Sequence, residues 1–220
     1  MHRTCFIFDL DGTLVDSERL GHEALKNLVP EVHDSIDGLL EYYRGVKLDK
    51  IFEDIEVRYK ISLPDDFEAI FRAHCATIFE QKLTTFPGVH DMLAAVQSPR
   101  CIASSGPLFK IKNSLRITGI ASFFGTNLFS AYDIQSWKPA PDLYLHAAST
   151  MGYVPAECIV IEDSEVGIEA AEAAGMRALH FTQRPIRPVT ADYRPFTSMD
   201  ELQQLLKTLE RNATDGGFSF

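Results

Sequence analysis

Acidic and hydroxyl side chains follow three short apolar runs of the sequence, each at the point where the run ends. These side chains are Asp9 and Asp11 after residues 5–8, Ser104 and Ser105 after 101–103, and Glu162 and Asp163 after 158–161. Short apolar runs without alternation are typical of strands that are buried on both faces of a parallel sheet. Ligands of open parallel sheets bind outside the carboxyl ends of the strands, so we expect these side chains to meet at one edge.

The carboxylates of this set indicate a cation site. Asp9, Asp11, Glu162 and Asp163 would repel one another at a shared edge unless a cation joined them. Mg2+ suits such a site because it prefers oxygen ligands and commonly combines one or two carboxylates with a substrate phosphate. The set therefore predicts a magnesium site with phosphate as its second partner.

Donors for phosphate oxygens accompany the carboxylates. Lys138 lies in a Trp-Lys-Pro-Ala-Pro stretch, where the prolines stiffen the chain just before a helix. Its ammonium and the hydroxyls of Ser104 and Ser105 suit phosphate, and Gly12 and Thr13 offer backbone amides on a tight loop. We therefore predict phosphoryl transfer as the chemistry of this edge.

Helical patterns separate the apolar runs. Pro141 begins one that stops at Gly152, and Ser164 caps another that stops at Gly175. A fourth apolar run follows at 178–181. Strands that alternate with helices predict an α/β fold with a parallel sheet, here a Rossmann-like core of three layers, α/β/α.

One long stretch interrupts this alternation. From about Ser17 to Leu83 the sequence shows helical patterns joined by turn-like pieces and no convincing strand. We therefore predict a small α-helical cap domain inserted after the first strand, and a polar, glycine-rich tail at the end of the sequence. The predicted parts are the core domain at 1–16 and 85–211, the cap at 17–84 and the flexible tail at 212–220.

The overall composition limits the classes of partner. The 220 residues are 45% hydrophobic and 24% charged, which is typical of a globular chain rather than a disordered one. A net charge of −10 opposes binding to nucleic acid and to anionic membranes. No apolar stretch is long enough to span a bilayer, and the N-terminal run is too short for a signal peptide. We therefore expect a cytoplasmic monomer whose four cysteines are reduced and mostly buried.

The motifs, taken together and in order, resemble the four signature motifs of the haloacid dehalogenase superfamily. The resemblance covers roughly residues 3–182, and the inserted helices resemble the small cap of the beta-phosphoglucomutase-like phosphatases. It implies a Mg2+-dependent phosphatase that acts on a small phosphorylated metabolite. The residues that carry it are Asp9 to Glu18, Ser104, Lys138 with Pro139, and Glu162 to Ser164.

The resemblance also implies a role for each motif residue. Asp9 would be the nucleophile that takes the phosphoryl group, and Asp11 would be the general acid and base. Ser104 and Lys138 would hold the transferring phosphoryl oxygens, and Ser105 competes with Ser104 for this contact.

The implied metal site uses the same loops. Asp9, the backbone carbonyl of Asp11, and Asp163 would hold Mg2+. Glu162 would be either a further ligand or an acceptor for a metal-bound water.

Substrate choice is expected to come from the cap. Arg44, Gly45 and Lys47 lie where related caps present a substrate loop, although two cations on a helical insertion are also typical of a solvated surface. The cap loop and the Trp-Lys-Pro stretch resemble a bacterial subgroup that dephosphorylates sugar phosphates, including 6-phosphogluconate. A sugar or sugar-acid phosphate is therefore the expected substrate.

Other activities of the superfamily fit less well. A sugar phosphomutase is the main alternative, but Gly21 stands where such mutases carry a cap histidine, with His22 only adjacent. The residues after Ser104 also depart from the Ser-Lys-Asn run of the mutases. Dehalogenases lack an acid at the position of Asp11, and a non-catalytic binding or regulatory module would be expected to have lost Asp9 or Asp11.

Overall fold

Six parallel strands form one sheet in the computed structural model, which describes residues 4–182 and 188–215. The strands are β1 (Cys5–Phe8), β2 (Arg100–Ser104), β3 (Leu128–Ser130), β4 (Cys158–Glu162), β5 (Arg177–Phe181) and β6 (Tyr193–Phe196). Their order across the sheet is β3-β2-β1-β4-β5-β6, so that β1 pairs with β2 on one side and with β4 on the other. This strand order is that of Rossmann-like folds, and it confirms the predicted fold class.

Helices connect the strands and form the insertion after β1. They are α1 (Ser17–Leu28), α2 (Ile36–Tyr43), α3 (Leu48–Tyr59), α4 (Phe67–Lys82), α5 (Val89–Ala95), α6 (Leu108–Ile117), α7 (Ala131–Ile134), α8 (Asp142–Met151), α9 (Glu165–Ala173) and α10 (Met199–Asp215). The first five lie between β1 and β2 in the chain, and α1 to α4 of these form the insertion. The others alternate with or follow the later strands, as expected for an α/β core.

The central strand β1 is buried on both faces. Ile7 belongs to a cluster of buried residues that includes Val160 of β4 and Tyr144 of α8. Successive side chains of a strand point to opposite faces, and the neighbouring Phe8 meets the edge of the Phe124 ring at 5.9 Å between centroids. Packing on both faces explains why the strand sequence is apolar throughout rather than alternating.

The chain divides into two compact units. Residues 1–15 with 85–220 hold the sheet, and residues 16–84 hold α1 to α4. Within the helical unit, α1 packs against α2 and α4, and Phe52 meets Phe67 edge-on with ring centroids 5.0 Å apart. Aromatic packing of this kind gives the inserted helices an apolar core of their own.

Two features of the sheet unit depart from the sequence prediction. The apolar patterns do not predict β3 or β6, because β3 has only three residues and β6 contains Pro195. The prediction of a tail from residue 212 is wrong for 212–215, because α10 continues to Asp215. Asn212, Ala213 and Thr214 include no helix-breaking residue, and the first glycine of the tail stands at 216. The remaining tail, 216–220, lies outside the described residues.

The cysteines are buried and form no disulfide, as the sequence predicted. Cys5 and Cys158 are paired residues of β1 and β4, and Cys101 lies on the neighbouring β2. Across residues 4–182 and 188–215, no helix has both the length and the apolar character that crossing a membrane requires.

Candidate active site

Asp9 and Lys138 form a buried ion pair at the carboxyl end of β1. Asp9 follows β1 directly, and its backbone N–H donates to the carbonyl of Ile161 at 2.9 Å, which extends the sheet pairing by one residue. Nζ of Lys138 donates to Oδ1 of Asp9 at 2.5 Å. Burial alone would lower the pKa of Lys138, but the carboxylates of Asp9 and Glu162 raise it well above its usual value. The ammonium therefore keeps its charge inside the protein.

The loop that carries Lys138 is held by aromatic side chains. Nζ of Lys138 lies 5.1 Å from the centroid of the fully buried Tyr144 ring, a distance at which an ammonium is attracted to the ring face. Trp137 packs against the core and meets Tyr132 edge-on, with centroids 5.3 Å apart. Through these contacts Trp137 helps to hold the lysine loop against the core. The peptide bond between Lys138 and Pro139 is cis.

Glu162, the last residue of β4, is oriented from two sides. Its Oε2 accepts from Nζ of Lys138 at 3.4 Å, and its Oε1 accepts from the hydroxyl of Ser164. Ser164 is also the predicted cap of α9, because its hydroxyl accepts from the N–H of Gly167 at 3.2 Å. A Cβ at Gly167 would lie 1.9 Å from Oε1 of Glu162, so the carboxylate occupies the space that the glycine leaves.

Asp163 faces the loop that follows β1. The hydroxyl of Thr13 donates to Oδ1 of Asp163 at 2.8 Å. Gly12 has a φ of +81°, which other residues rarely adopt, and a Cβ at this position would lie 2.4 Å from Oδ2 of Asp163. The sequence predicts phosphate binding for Gly12 and Thr13, and the structure places both against the Asp163 carboxylate.

Asp9, Glu162 and Asp163 form a cluster of buried carboxylates. One oxygen atom from each lies within 4.8 Å of the others. Burial and the Glu162 carboxylate raise the pKa of Asp9 well above its usual value, and Lys138 opposes this only in part. Because Lys138 brings one positive charge to three carboxylates, a divalent cation would balance the cluster. Oxygen donors in this arrangement fit the predicted Mg2+.

Asp11 borders the loop that follows β2. Its Oδ1 lies 2.8 Å from Nζ of Lys110 in α6. A Cβ at Gly106 would lie 3.7 Å from Oδ2 of Asp11 and 3.4 Å from Oγ of Ser104, so both polar groups border the same glycine. Ser104 is buried and accepts from the N–H of Gly106 at 3.0 Å, whereas Ser105 is exposed. The structure thus places Ser104 beside the glycine that Asp11 also borders.

Lys110 and His180 contact site residues, and the sequence did not predict either of them. Nε2 of the buried His180 lies 3.1 Å from the carbonyl oxygen of Asp163, and its Nδ1 lies 2.8 Å from the hydroxyl of Tyr193. A carbonyl only accepts, so Nε2 carries the proton and, in the neutral ring, Nδ1 accepts from Tyr193. His180 is the sheet partner of Glu162, a register that the sequence alone does not provide. The sequence contains one indication that Lys110 could reach the site, namely its position in the first turn of the helix after β2.

The predicted substrate residues of the cap lie in the helical unit, at the turn between α2 and α3. Arg44 ends α2, Gly45 has a φ of 71°, and Lys47 immediately precedes α3. Both cationic side chains are exposed. Their role in substrate binding stays a prediction.

Known proteins resemble this chain in both sequence and fold. A sequence model of the haloacid dehalogenase-like hydrolases matches residues 4–175. The 6-phosphogluconate phosphatase of Escherichia coli is 33% identical over 205 residues, which cover 91% of this chain and 93% of that protein. The phosphorylated carbohydrates phosphatase of Thermotoga maritima is 28% identical over 185 residues, which cover 79% of this chain and 82% of that protein.

A solved structure gives the same result for the fold. A haloacid dehalogenase-like protein of unknown function from Agrobacterium tumefaciens superposes with a TM-score of 0.81 at 28% identity, covering 94% of this chain and 99% of that one. The matching sequence model spans most of the chain and includes all three residues of the buried carboxylate cluster. The chain therefore belongs to the haloacid dehalogenase-like hydrolase family, as its motifs predicted.

Proposed function

We propose that this protein is a Mg2+-dependent phosphatase that hydrolyses a sugar phosphate or sugar-acid phosphate through a phosphorylated Asp9. The observation that carries the proposal is the buried Asp9 carboxylate, paired with Lys138 at 2.5 Å and clustered with Glu162 and Asp163 at the carboxyl end of the central strand. Family membership and the phosphatases among the relatives support the same reaction.

In the first proposed step, a carboxylate oxygen of Asp9 attacks the phosphorus atom of the substrate. The bond between phosphorus and the sugar oxygen breaks, and Asp11 donates a proton to that oxygen, because an alkoxide leaves poorly unless it is protonated. Lys138 and Ser104 hold phosphoryl oxygens as their charge shifts. The products of this step are the free sugar and phosphorylated Asp9.

In the second proposed step, water releases the phosphate. Asp11, now ionised, accepts a proton from the water molecule. The water oxygen attacks phosphorus, and the bond from phosphorus to the Asp9 oxygen breaks. Inorganic phosphate leaves, and both aspartates return to their starting states. One side chain thus serves as the acid in the first step and as the base in the second.

The carboxylate cluster and the loop after β1 would hold the metal ion. Asp9, Asp163 and the backbone carbonyl of Asp11 are the proposed ligands, with Glu162 as a further ligand or as an acceptor for a bound water. When bound, the ion would supply positive charge to the phosphoryl oxygens during transfer. Thr13, Gly12 and His180 keep Asp163 in place for this purpose.

The proposed substrate class comes from the relatives. A 6-phosphogluconate phosphatase and a phosphorylated carbohydrates phosphatase each match most of the chain, which favours a phosphorylated sugar or sugar acid. Arg44, Gly45 and Lys47 are the proposed recognition residues in the helical unit. The monomeric state, the cytoplasmic location and the absence of nucleic-acid and membrane partners stay predictions.

A panel of phosphorylated metabolites assayed with Mg2+ tests this proposal. We expect release of inorganic phosphate from a sugar or sugar-acid phosphate, with 6-phosphogluconate as the first compound to try. Asp9→Asn should lower the rate by about a thousandfold or more, because the nucleophile is lost. Asp91→Asn, which changes an exposed aspartate in α5, is the matched control and should leave the rate unchanged.

Three outcomes would contradict the proposal. Full activity of Asp9→Asn would exclude Asp9 as the nucleophile. Full activity after removal of divalent ions by a chelator would exclude the metal requirement. Isomerisation of a hexose phosphate without release of phosphate would indicate the mutase instead.

A further inference from the structure

Lys110 is a cation of the sheet unit that contacts the proposed general acid. Its Nζ lies 2.8 Å from Oδ1 of Asp11, and the side chains of Lys110 and Asp11 are 28% and 20% exposed. Lys110 belongs to the first turn of α6, whereas Asp11 belongs to the loop after β1. The contact therefore joins a helix and a loop at the edge of the sheet.

The side chains of Lys110 and Asp11 both lie beside Gly106. A Cβ at Gly106 would lie 3.4 Å from Cδ of Lys110 and 3.7 Å from Oδ2 of Asp11, so that both side chains pass over this residue. The carbonyl of Gly106 accepts from the hydroxyl of Ser130 at 2.7 Å, which ties its loop to β3. The aliphatic part of Lys110 therefore rests on a loop that is itself held in place.

Lys110 has no role in the proposed mechanism. The other lysine of the site, Lys138, pairs with different carboxylates. Nζ of Lys138 already donates to Asp9 and lies close to Glu162. The Asp11 carboxylate thus has a positive charge of its own, on a different element. Partly exposed ion pairs contribute little to stability, so a pair at this place is better explained by what it does to the position of the carboxylate.

We infer that Lys110 is a positioning residue for proton transfer: its ammonium donates to Oδ1 of the Asp11 carboxyl group and so directs the other oxygen, which carries the proton, toward the leaving oxygen of the substrate. The inference rests on the proposed role of Asp11. A general acid acts only within hydrogen-bonding reach of the oxygen that it protonates, and an aspartate side chain in a loop can rotate away from it. Oδ1 can accept from the Lys110 ammonium whether or not Oδ2 carries a proton, so the contact limits this rotation in both steps and leaves Oδ2 to give up and take back the proton.

The leaving group of the substrate provides the test. The leaving oxygen of a sugar phosphate needs a proton, whereas the p-nitrophenolate of p-nitrophenyl phosphate leaves without one. For Lys110→Met we expect kcat/KM to fall by about tenfold to a hundredfold with the fastest sugar phosphate of the panel, and by less than about threefold with p-nitrophenyl phosphate. The ratio kcat/KM is the right measure, because it depends only on the steps up to the first irreversible one, the transfer of the phosphoryl group to Asp9. Hydrolysis of phosphorylated Asp9 comes later and does not affect it.

Three further variants complete the experiment. Lys110→Arg keeps the cation and should restore most of the rate with the sugar phosphate. Lys112→Met removes an exposed cation of the same helix and should leave kcat/KM unchanged with both substrates. In an Asp11→Asn background, Lys110→Met should cause no further loss, because the group that it positions is already absent.

The outcomes separate this inference from the proposed function. Equal losses of Lys110→Met with both substrates, or no loss with either, would overturn the positioning role. If Asp11→Asn itself failed to distinguish the two leaving groups, the proposed role of Asp11 as general acid would fall. A selective loss in Asp11→Asn without one in Lys110→Met would refute the inference about Lys110 alone.

Discussion

Replacement of Gly167 by alanine sets two effects against each other. Gly167 lies in the first turn of α9, and an alanine in a helix usually stabilises the fold by about 0.5–1 kcal/mol relative to glycine. Here, however, the new Cβ would lie 1.9 Å from Oε1 of Glu162 and 2.2 Å from its Cδ. These distances are far below van der Waals contact, so the Glu162 carboxylate has to move.

The cost of this movement exceeds the helical gain. Overpacking of a well-filled interior typically costs about 1–3 kcal/mol. A displaced Glu162 also loses the hydrogen bond from Ser164, which costs about 1–3 kcal/mol for a buried polar group. We therefore expect Gly167→Ala to lower the free energy of unfolding by about 1–5 kcal/mol despite its better helix propensity. Because Glu162 belongs to the carboxylate cluster, the concentration of Mg2+ needed for half-maximal activity should rise about tenfold.

Urea unfolding followed by circular dichroism measures the effect, and Gly21→Ala is the matched control. Apart from its chain neighbours and the backbone of its own helix, no atom of the described residues lies within 4 Å of the Cβ position at Gly21 in α1, so this variant should be more stable by about 0.5–1 kcal/mol. In a Glu162→Ala background the carboxylate is gone, and Gly167→Ala should no longer destabilise. A Gly167→Ala protein as stable and as active as the parent would refute the reasoning, and so would an unchanged cost in the Glu162→Ala background.

Three other predictions concern different parts of the chain. His180→Phe removes the hydrogen bond to the Asp163 carbonyl, so the Mg2+ concentration for half-maximal activity should rise about tenfold in a metal titration. Burial lowers the pKa of His22 from 6.5 to about 4. Between pH 6.5 and about pH 4, the unfolded chain therefore binds a proton at His22 that the folded chain does not bind. The free energy of unfolding should therefore fall by about 2 kcal/mol between roughly pH 7.5 and pH 5, and His22→Leu should remove this part of the loss. Lys47→Ala should raise KM for the preferred substrate with little change in kcat, because it is proposed to bind the substrate and not the reacting phosphoryl group.

Each of these predictions has a result that would contradict it. Tyr193→Phe leaves the bond from His180 to Asp163 intact and should disturb the metal titration less than His180→Phe does, so equal effects would exclude positioning through that bond. An unchanged pH dependence of stability in His22→Leu would show that His22 does not titrate differently on folding. An unchanged KM in Lys47→Ala would remove this residue from substrate recognition.

Much of the fold could be predicted from local sequence patterns. The apolar runs at β1, β2, β4 and β5 are buried on both faces and therefore lack polar alternation, which makes them visible in the sequence. The edge strands β3 and β6 could not be identified in this way. β3 is three residues long, and β6 is fully buried only at its two ends and contains a proline, which is tolerated at the edge of a sheet.

The contacts around the site depend on strand register and on helix direction, which a single sequence does not show. The motifs predicted Asp9, Asp11, Lys138 and Asp163 as site residues, but not that Lys110 would reach Asp11. His180 contacts Asp163 only because β5 pairs with β4 so that His180 stands beside Glu162. Supporting residues of this kind become visible only when the strands are aligned in space.

The insertion of the helical unit between β1 and β2 has a consequence for how the protein folds. Asp9 and Lys138 are 129 residues apart in the chain, and Thr13 and Asp163 are 150 apart. No local segment can assemble this site, because β1 must first pair with two strands that are distant in sequence, and such pairings form slowly. Recovery of enzymatic activity during refolding therefore reports completion of the whole sheet, whereas the inserted helices, with their local contacts, can form before any activity returns.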